Sequence, residues 1–262
     1  MSGINPSSII EDGAQIGDGV EIGPFCRVGA HVTLSHGVKL HSHVVLQGRT
    51  FIGPDTEIFP FVSLGSPPQH LGYRGEDTSL VIGAGNKIRE YVTMNPGTAQ
   101  GRGETRVGDN CLFMTGAHVA HDCTVGSNVV FANNATLGGH VHVEDYVFLG
   151  GLCAVHQFCR IGAYAFVGGA AAVPGDVIPF GSVHGNHAHL AGLNIVGMKR
   201  RGLSRDVIHD LRAAYRLLFA DEGTFQERIA DVADLYGDRP EVKQMIAFIR
   251  APSTRPLVFP AE

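Results

Sequence analysis

The stretch from His118 to Gly126 reads H-V-A-H-D-C-T-V-G and sets two histidines and an aspartate within nine residues. An imidazole, with an ordinary pKa of about 6.5, can take a proton from a hydroxyl, and a carboxylate beside it fixes its tautomer and stabilises the imidazolium. Further along stands a Gly-Gly pair, Gly138 and Gly139. A glycine N–H with no side chain over it can donate to a carbonyl that is becoming an oxyanion. A base, its orienting acid and an oxyanion donor are the parts that acyl transfer needs. No serine or cysteine is placed as a nucleophile, so direct attack by the acceptor is expected in place of an acyl-enzyme.

Two other readings compete at this point. Single histidines at bends are ordinarily solvated polar residues. Against that, eight of the chain's 14 histidines (His118, His121, His140, His142, His156, His184, His187 and His189) crowd into 72 residues, which also raises a metal site. The cysteines do not suggest one. Cys26, Cys111, Cys123, Cys153 and Cys159 form no CxxC pair and read as small reduced core residues.

The elements that would hold these groups follow a period of six. Aliphatic residues recur at every sixth position from Ile4 to Leu64, resume at Ile82, Ile88 and Met94, and run again from Val107 to Val173. The slot four residues after each holds small or β-branched residues such as Val20, Val38, Ala117 and Ala135, and all five cysteines fall in it. Neither a helix nor a long alternating strand has this period. It resembles the hexapeptide repeat of the left-handed parallel β-helix, in which three hexads make one triangular coil and neighbouring coils satisfy each other's backbone at about 4.8 Å. Residues 18 apart then stack. His121, Gly139 and Gln157 form one column, and Asp122, His140 and Phe158 the next.

The expected fold is therefore mainly β, a β-helix over 1–191 with loops at 65–80 and 95–106, followed by a helical domain over 192–262. Ser204 is the expected N-cap of a helix over 205–220, Thr224 of one over 225–236, and Pro240 opens a third that reaches Arg250. The helical part would cover the open end of the β-helix. It carries 11 of the 20 Lys and Arg against 10 of the 25 Asp and Glu, leaving 9 against 15 for the body. So mild an asymmetry gives no basic stripe for nucleic acid. No apolar run approaches the roughly 18 residues of a membrane span, and residues 1–15 lack a signal peptide's basic and apolar regions, so a cytoplasmic location is expected.

Zinc could be held as in the γ-class carbonic anhydrases, which share the β-helix and use three histidines, two of them five residues apart. His118 and His121 are three apart, and His184 and His189 lie where the repeat ends. A non-catalytic scaffold is the remaining alternative.

Beyond the repeats, the chain carries H-V-A-H-D-C-T-V-G, G-G-L-C-A-V-H-Q-F-C-R-I-G from Gly150 to Gly162, G-N-H-A from Gly185 to Ala188 and K-R-R-G-L-S-R from Lys199 to Arg205. In this order, before a helical tail, it resembles the acyl carrier protein-dependent UDP-N-acetylglucosamine acyltransferases that begin lipid A synthesis. The resemblance implies His121 as general base, Asp122 as its orienting acid and the Gly139 N–H as oxyanion donor. It places Gln69, His70, His118, His140, His156, Gln157, His187, Asn194, Arg200 and Arg201 in the substrate cleft, with the arginines suited to a diphosphate. Gly169 falls where the family sets acyl-chain length, and a glycine there points to a longer 3-hydroxyacyl donor. No cofactor or metal is implied. The implied partners are acyl carrier protein, a UDP-sugar and two further copies of the chain, with sites between subunits.

Two stretches depart from the family. Pro68-Gln69-His70-Leu71-Gly72 stands where P-Q-D-L-K is common, and Asn95-Pro96 replaces a His-Arg pair. The acceptor shell is thus altered, and an acceptor carrying a 3-amine in place of the 3-hydroxyl becomes an alternative. The later N-acyltransferase of the same pathway is less suited, because it carries a domain ahead of its β-helix whereas hexads start here at Ile4.

Overall fold

The computed structural model describes residues 3–261. Nearly every strand is two residues long, as at His118–Val119 and Thr124–Val125, because each hexad supplies one outward and one inward residue before the chain must bend. From Gly3–Ile4 to Ala172–Val173, parallel pairing joins strands three apart along the chain. This gives three sheets of 11, 9 and 8 strands, the faces of a left-handed parallel β-helix. Thr136 pairs with both His118 and Ala154, and His142 with both Thr124 and Arg160, so the 18-residue stacking holds through this region.

The inward aliphatics and the small slots fill the core together. Ile22, Val38, Leu46, Phe113, Ala117 and Leu137 are all buried, each large side chain contributing about 1.5–3 kcal/mol. All five cysteines are free and buried, and burial pushes the Cys123 and Cys159 thiols up to about 12. They are core residues, as expected. The second residue of many bends adopts the left-handed conformation, with φ of 61° at Asp122, 61° at His140 and 68° at Phe158. That costs a non-glycine residue of order 1 kcal/mol or more, and it turns these side chains outward along the edges of the prism.

The loops end earlier than the sequence suggests. Ser79–Ile82 and Glu104–Val107 pair with each other as four-residue strands, so the loops close at Thr78 and Gly103 because pairing to the third face draws their ends in. The first face finishes with Gly181–His184 antiparallel to His189–Leu193. Four helices follow: α1 (Ile195–Arg200), α2 (Arg205–Leu218), α3 (Phe225–Tyr236) and α4 (Pro240–Arg250). Ser204 and Thr224 cap α2 and α3 as expected, the latter in a capping box with Glu227. α2 ends at Leu218, two residues short of the expected Ala220, and α1 was not foreseen. Residues 253–259 return to the end of the β-helix, where Asp176 bridges Leu257 in parallel.

Candidate active site

Both loops leave the second face and rejoin the third, as do the bends at 120–123, 138–141 and 156–159. They therefore stack along one edge of the prism, the His121 edge.

Asp122 is 2% exposed. Its carboxylate accepts from the Thr98 N–H at 3.1 Å, the Thr98 hydroxyl at 2.7 Å and the Arg102 N–H at 2.8 Å. It also accepts from His121 Nδ1 at 2.8 Å. Burial alone would raise the Asp122 carboxyl, but the hydrogen bonds from His121, Thr98 and Arg102 outweigh it and hold the group below its ordinary value. A carboxylate can only accept, so His121 carries its proton on Nδ1 and leaves Nε2 free as a base.

The His121 ring lies against Gly139. A Cβ on Gly139 would stand 2.6 Å from His121 Cε1 and 2.7 Å from Nε2, so any side chain there would displace the imidazole. The Gly139 N–H makes no hydrogen bond among the described residues. The base ring thus adjoins the residue that carries the free N–H.

Other imidazoles surround this pair. The His140 ring meets His121 edge-on at 5.1 Å and stacks on Phe158 at 4.4 Å, and burial lowers its pKa. His118, also lowered by burial, pairs through Nδ1 with the Thr93 hydroxyl at 2.8 Å. His156 and Gln157 form the next bend. The first loop brings His70 to 5.0 Å from His121, ring to ring, with exposed Gln69 beside it. The Gly72 N–H donates to His70 Nδ1 at 3.1 Å, so neutral His70 bears its proton on Nε2. Asn95 lies under this loop, 4% exposed, and its Nδ2 donates to the carbonyls of Ser66 and Pro67. It latches the loop that carries His70.

His121, Asp122 and His140 offer ligand atoms within 4.8 Å of one another, the spacing of a possible metal group. The donor chemistry fits poorly. The Asp122 oxygen nearest both histidines already takes the His121 Nδ1 proton and the Thr98 hydroxyl, and a cation would have to replace both.

The remaining expected residues lie elsewhere on the single chain. Gly169 stands on the edge between the first and second faces, where a Cβ would meet only the Gly151 carbonyl at 3.4 Å. His187 sits in the turn of the hairpin that ends the first face, whose Gly185 and Ala188 hydrogen-bond to Ala172. Arg200 and Arg201 line a cavity of about 480 Å³ with Tyr146, Phe148, Tyr164 and Phe166, on the third edge. Asn194 also lines it but is engaged: its Oδ1 caps α1 by accepting from Gly197 N–H, and its Nδ2 donates to the Tyr164 carbonyl. One chain does not bring these five residues to His121.

Sequence reasoning missed Thr98, Arg102 and Thr105, which hold Asp122 from the second loop and its following strand. Two of those contacts are backbone N–H groups, which leave no side-chain signal.

Residues 176–258 match the family described as UDP N-acetylglucosamine O-acyltransferase, domain 2, and residues 104–139 match bacterial transferase hexapeptide repeats. The chain is 59% identical over 257 residues to the acyl-[acyl-carrier-protein]--UDP-N-acetylglucosamine O-acyltransferase of Caulobacter vibrioides, covering 98% of each. It is 57% identical to that of Azorhizobium caulinodans, covering 98% of this chain and 95% of the relative. Among solved structures, the UDP-N-acetylglucosamine O-acyltransferase of Moraxella catarrhalis RH4 is similar with a TM-score of 0.93 and 41% identity, over 98% of this chain and 99% of that one.

Proposed function

The chain belongs to the acyl carrier protein-dependent UDP-N-acetylglucosamine O-acyltransferase family, and on that premise we propose that it acylates the glucosamine 3-position of a UDP-sugar by direct attack, with His121 as base. The donor is a (R)-3-hydroxyacyl chain held as a thioester on acyl carrier protein, and the step is the first acylation of lipid A assembly. The observation that carries the reading is the His121 ring, held by buried Asp122 at 2.8 Å and lying against Gly139.

The 3-hydroxyl gives its proton to His121 Nε2 as its oxygen bonds to the thioester carbonyl. The carbonyl oxygen becomes an oxyanion, toward which the Gly139 N–H donates. Collapse breaks the carbon–sulfur bond, and the His121 imidazolium returns the proton to the departing thiolate. Asp122 remains ionised throughout, orienting the ring and stabilising its charge. A homotrimer would bring the Arg200 and Arg201 cavity of one subunit to the His121 edge of the next, where the arginines would hold the diphosphate.

A second reading concerns the acceptor. The His70 ring stands beside His121 with its Nδ1 engaged by the Gly72 N–H, and Asp122 is consumed by its own hydrogen bonds. Such surroundings do not stabilise an ammonium ion, so an amine at the 3-position would stay in its reactive neutral form. Acyl transfer to UDP-N-acetylglucosamine and to its 3-amino analogue, with His121→Ala beside the parent, tests both. Activity on neither acceptor from a folded protein overturns the proposal, and the better acceptor decides between the two readings.

A further inference from the structure

Along the His121 edge, successive peptide units form one hydrogen-bonded chain. The Asp122 N–H donates to the Thr105 hydroxyl at 2.8 Å. The carbonyl of that peptide, His121 O, accepts from His140 N–H at 3.0 Å, and the carbonyl of the next, Gly139 O, accepts from Phe158 N–H at 3.0 Å. The carbonyl of the last peptide, Gln157 O, accepts from Arg255 Nε at 2.9 Å. His156 Nδ1 donates to the same oxygen at 3.2 Å. Three peptide dipoles therefore point the same way, through the backbone that carries the His121 ring and through the Gly139 carbonyl, and a guanidinium sits at their negative end.

Arg255 comes from a strap 98 residues further along the chain than Gln157. The strap is fixed independently of that contact. Asp176 N–H donates to Pro256 O, Val258 N–H to Asp176 O and Leu190 N–H to Phe259 O, each at 2.8 Å. The fully buried Asp176 carboxylate in turn accepts from the backbone N–H and Nε of Arg160, both at 2.7 Å. A Cβ on Gly175 would lie 2.3 Å from Pro256 O, so the approach of the strap requires a glycine there. Arg255 is thus a held charge.

We propose that Arg255 is a positioning residue for the acyl transfer, in which its guanidinium anchors the peptide stack that sets His121 and Gly139 at their working separation. Hydrogen bonds in such a chain polarise one another, and a charged donor at its carbonyl end strengthens the whole row. The inference rests on the reading of the His121 edge given above.

The test uses the full chain with saturating acyl-carrier-protein donor. Arg255→Ala is expected to lower kcat about tenfold, the worth of one charge-assisted hydrogen bond, with KM for the UDP-sugar within about twofold of the parent. Arg255→Lys is expected to recover part of the loss, and added ethylguanidinium to restore Arg255→Ala. Phe259→Ala, which loosens the strap's packing on Phe219 and Phe225 without touching Gln157, separates positioning from folding. The inference is overturned if Arg255→Ala matches the parent, if only KM moves, or if Phe259→Ala loses as much kcat for the same loss of thermal stability. His121→Ala runs beside them. Its retaining parental activity would remove the reading of the edge itself, whereas its inactivity with an unaffected Arg255→Ala would remove only the role given to Arg255.

Discussion

At the His121 edge, Asp122 is shut from water and spends its carboxylate on Thr98, Arg102 and His121, while His121 Nε2 and the Gly139 N–H have no hydrogen-bond partner among the described residues. At the tyrosine edge, Arg200 and Arg201 have no carboxylate partner among the described residues, and Arg201 lies over the Tyr146 ring at 4.9 Å. Internal satisfaction at the first edge fixes geometry and tautomer, which proton transfer requires. Unspent charge over aromatic walls at the second leaves the guanidiniums available to an incoming anion. Under the proposed function one edge performs the chemistry and the other holds the nucleotide, and substitutions should divide into kcat and KM effects accordingly.

The largest effect is expected from His121→Ala, with kcat lower by about a hundredfold or more and the melting temperature little changed. Steady-state kinetics beside a thermal melt would show it. A loss confined to KM would make the edge a binding surface and erase the contrast.

Asp122→Asn comes next, with kcat lower by roughly ten- to a hundredfold because the amide no longer enforces the His121 tautomer. It should also cost about 1–3 kcal/mol of stability, since buried donors lose a charged acceptor. The pH dependence follows from the direction of the shift. Asp122 is held below its ordinary value when folded, so its stabilisation is complete above the unfolded carboxylate pKa, about 3.9, and is lost as pH falls through the lower folded value. The stability gap between parent and variant, measured by denaturant melts, should therefore be constant near neutrality and narrow below about pH 4.

At the other edge, Arg200→Ala and Arg201→Ala should each raise KM for the UDP-sugar about tenfold with kcat unchanged. The penalty should shrink at high salt. A kcat effect instead would place the arginines in the chemistry. Gly169→Met should fold normally, because a Cβ at that position makes only an ordinary contact with the Gly151 carbonyl, and should shift preference to shorter acyl chains in a competition between donors. The smallest effect is expected from Asn95→Ala. Releasing the Ser66 and Pro67 carbonyls loosens the loop that carries His70, and KM for the acceptor should rise only about threefold.

The unbroken hexads from Ile4 to Leu64 already determine the coil, because an inward aliphatic every six residues is satisfied by no other regular backbone. The coil in turn determines the columns. That His121 lies under Gly139 and that Asp122 stacks with His140 were legible from 18-residue arithmetic, and the pairing of His142 with Thr124 and Arg160 bears that arithmetic out. The helix starts were equally local: Ser204, Thr224 and Pro240 act on the first turn that follows them.

What the sequence could not supply is contact across long separations made by the backbone. Thr98 and Arg102 reach Asp122 through backbone N–H groups that every residue type except proline possesses, and Arg255 reaches Gln157 through a carbonyl. Asn95 was legible only as a departure from a pattern, and its place under the first loop, with its amide on Ser66 and Pro67, emerged from the fold. Likewise, Arg200 and Arg201 are expected in a cleft shared between subunits, and only the fold shows which edge of their own chain they line. Periodic burial is written in residue types, so the sequence alone determined the β-helix, its columns and the His121–Asp122 pair. Hydrogen bonds to the backbone and the choice of edge depend on where distant segments return, so only the tertiary structure decided what holds that pair in place.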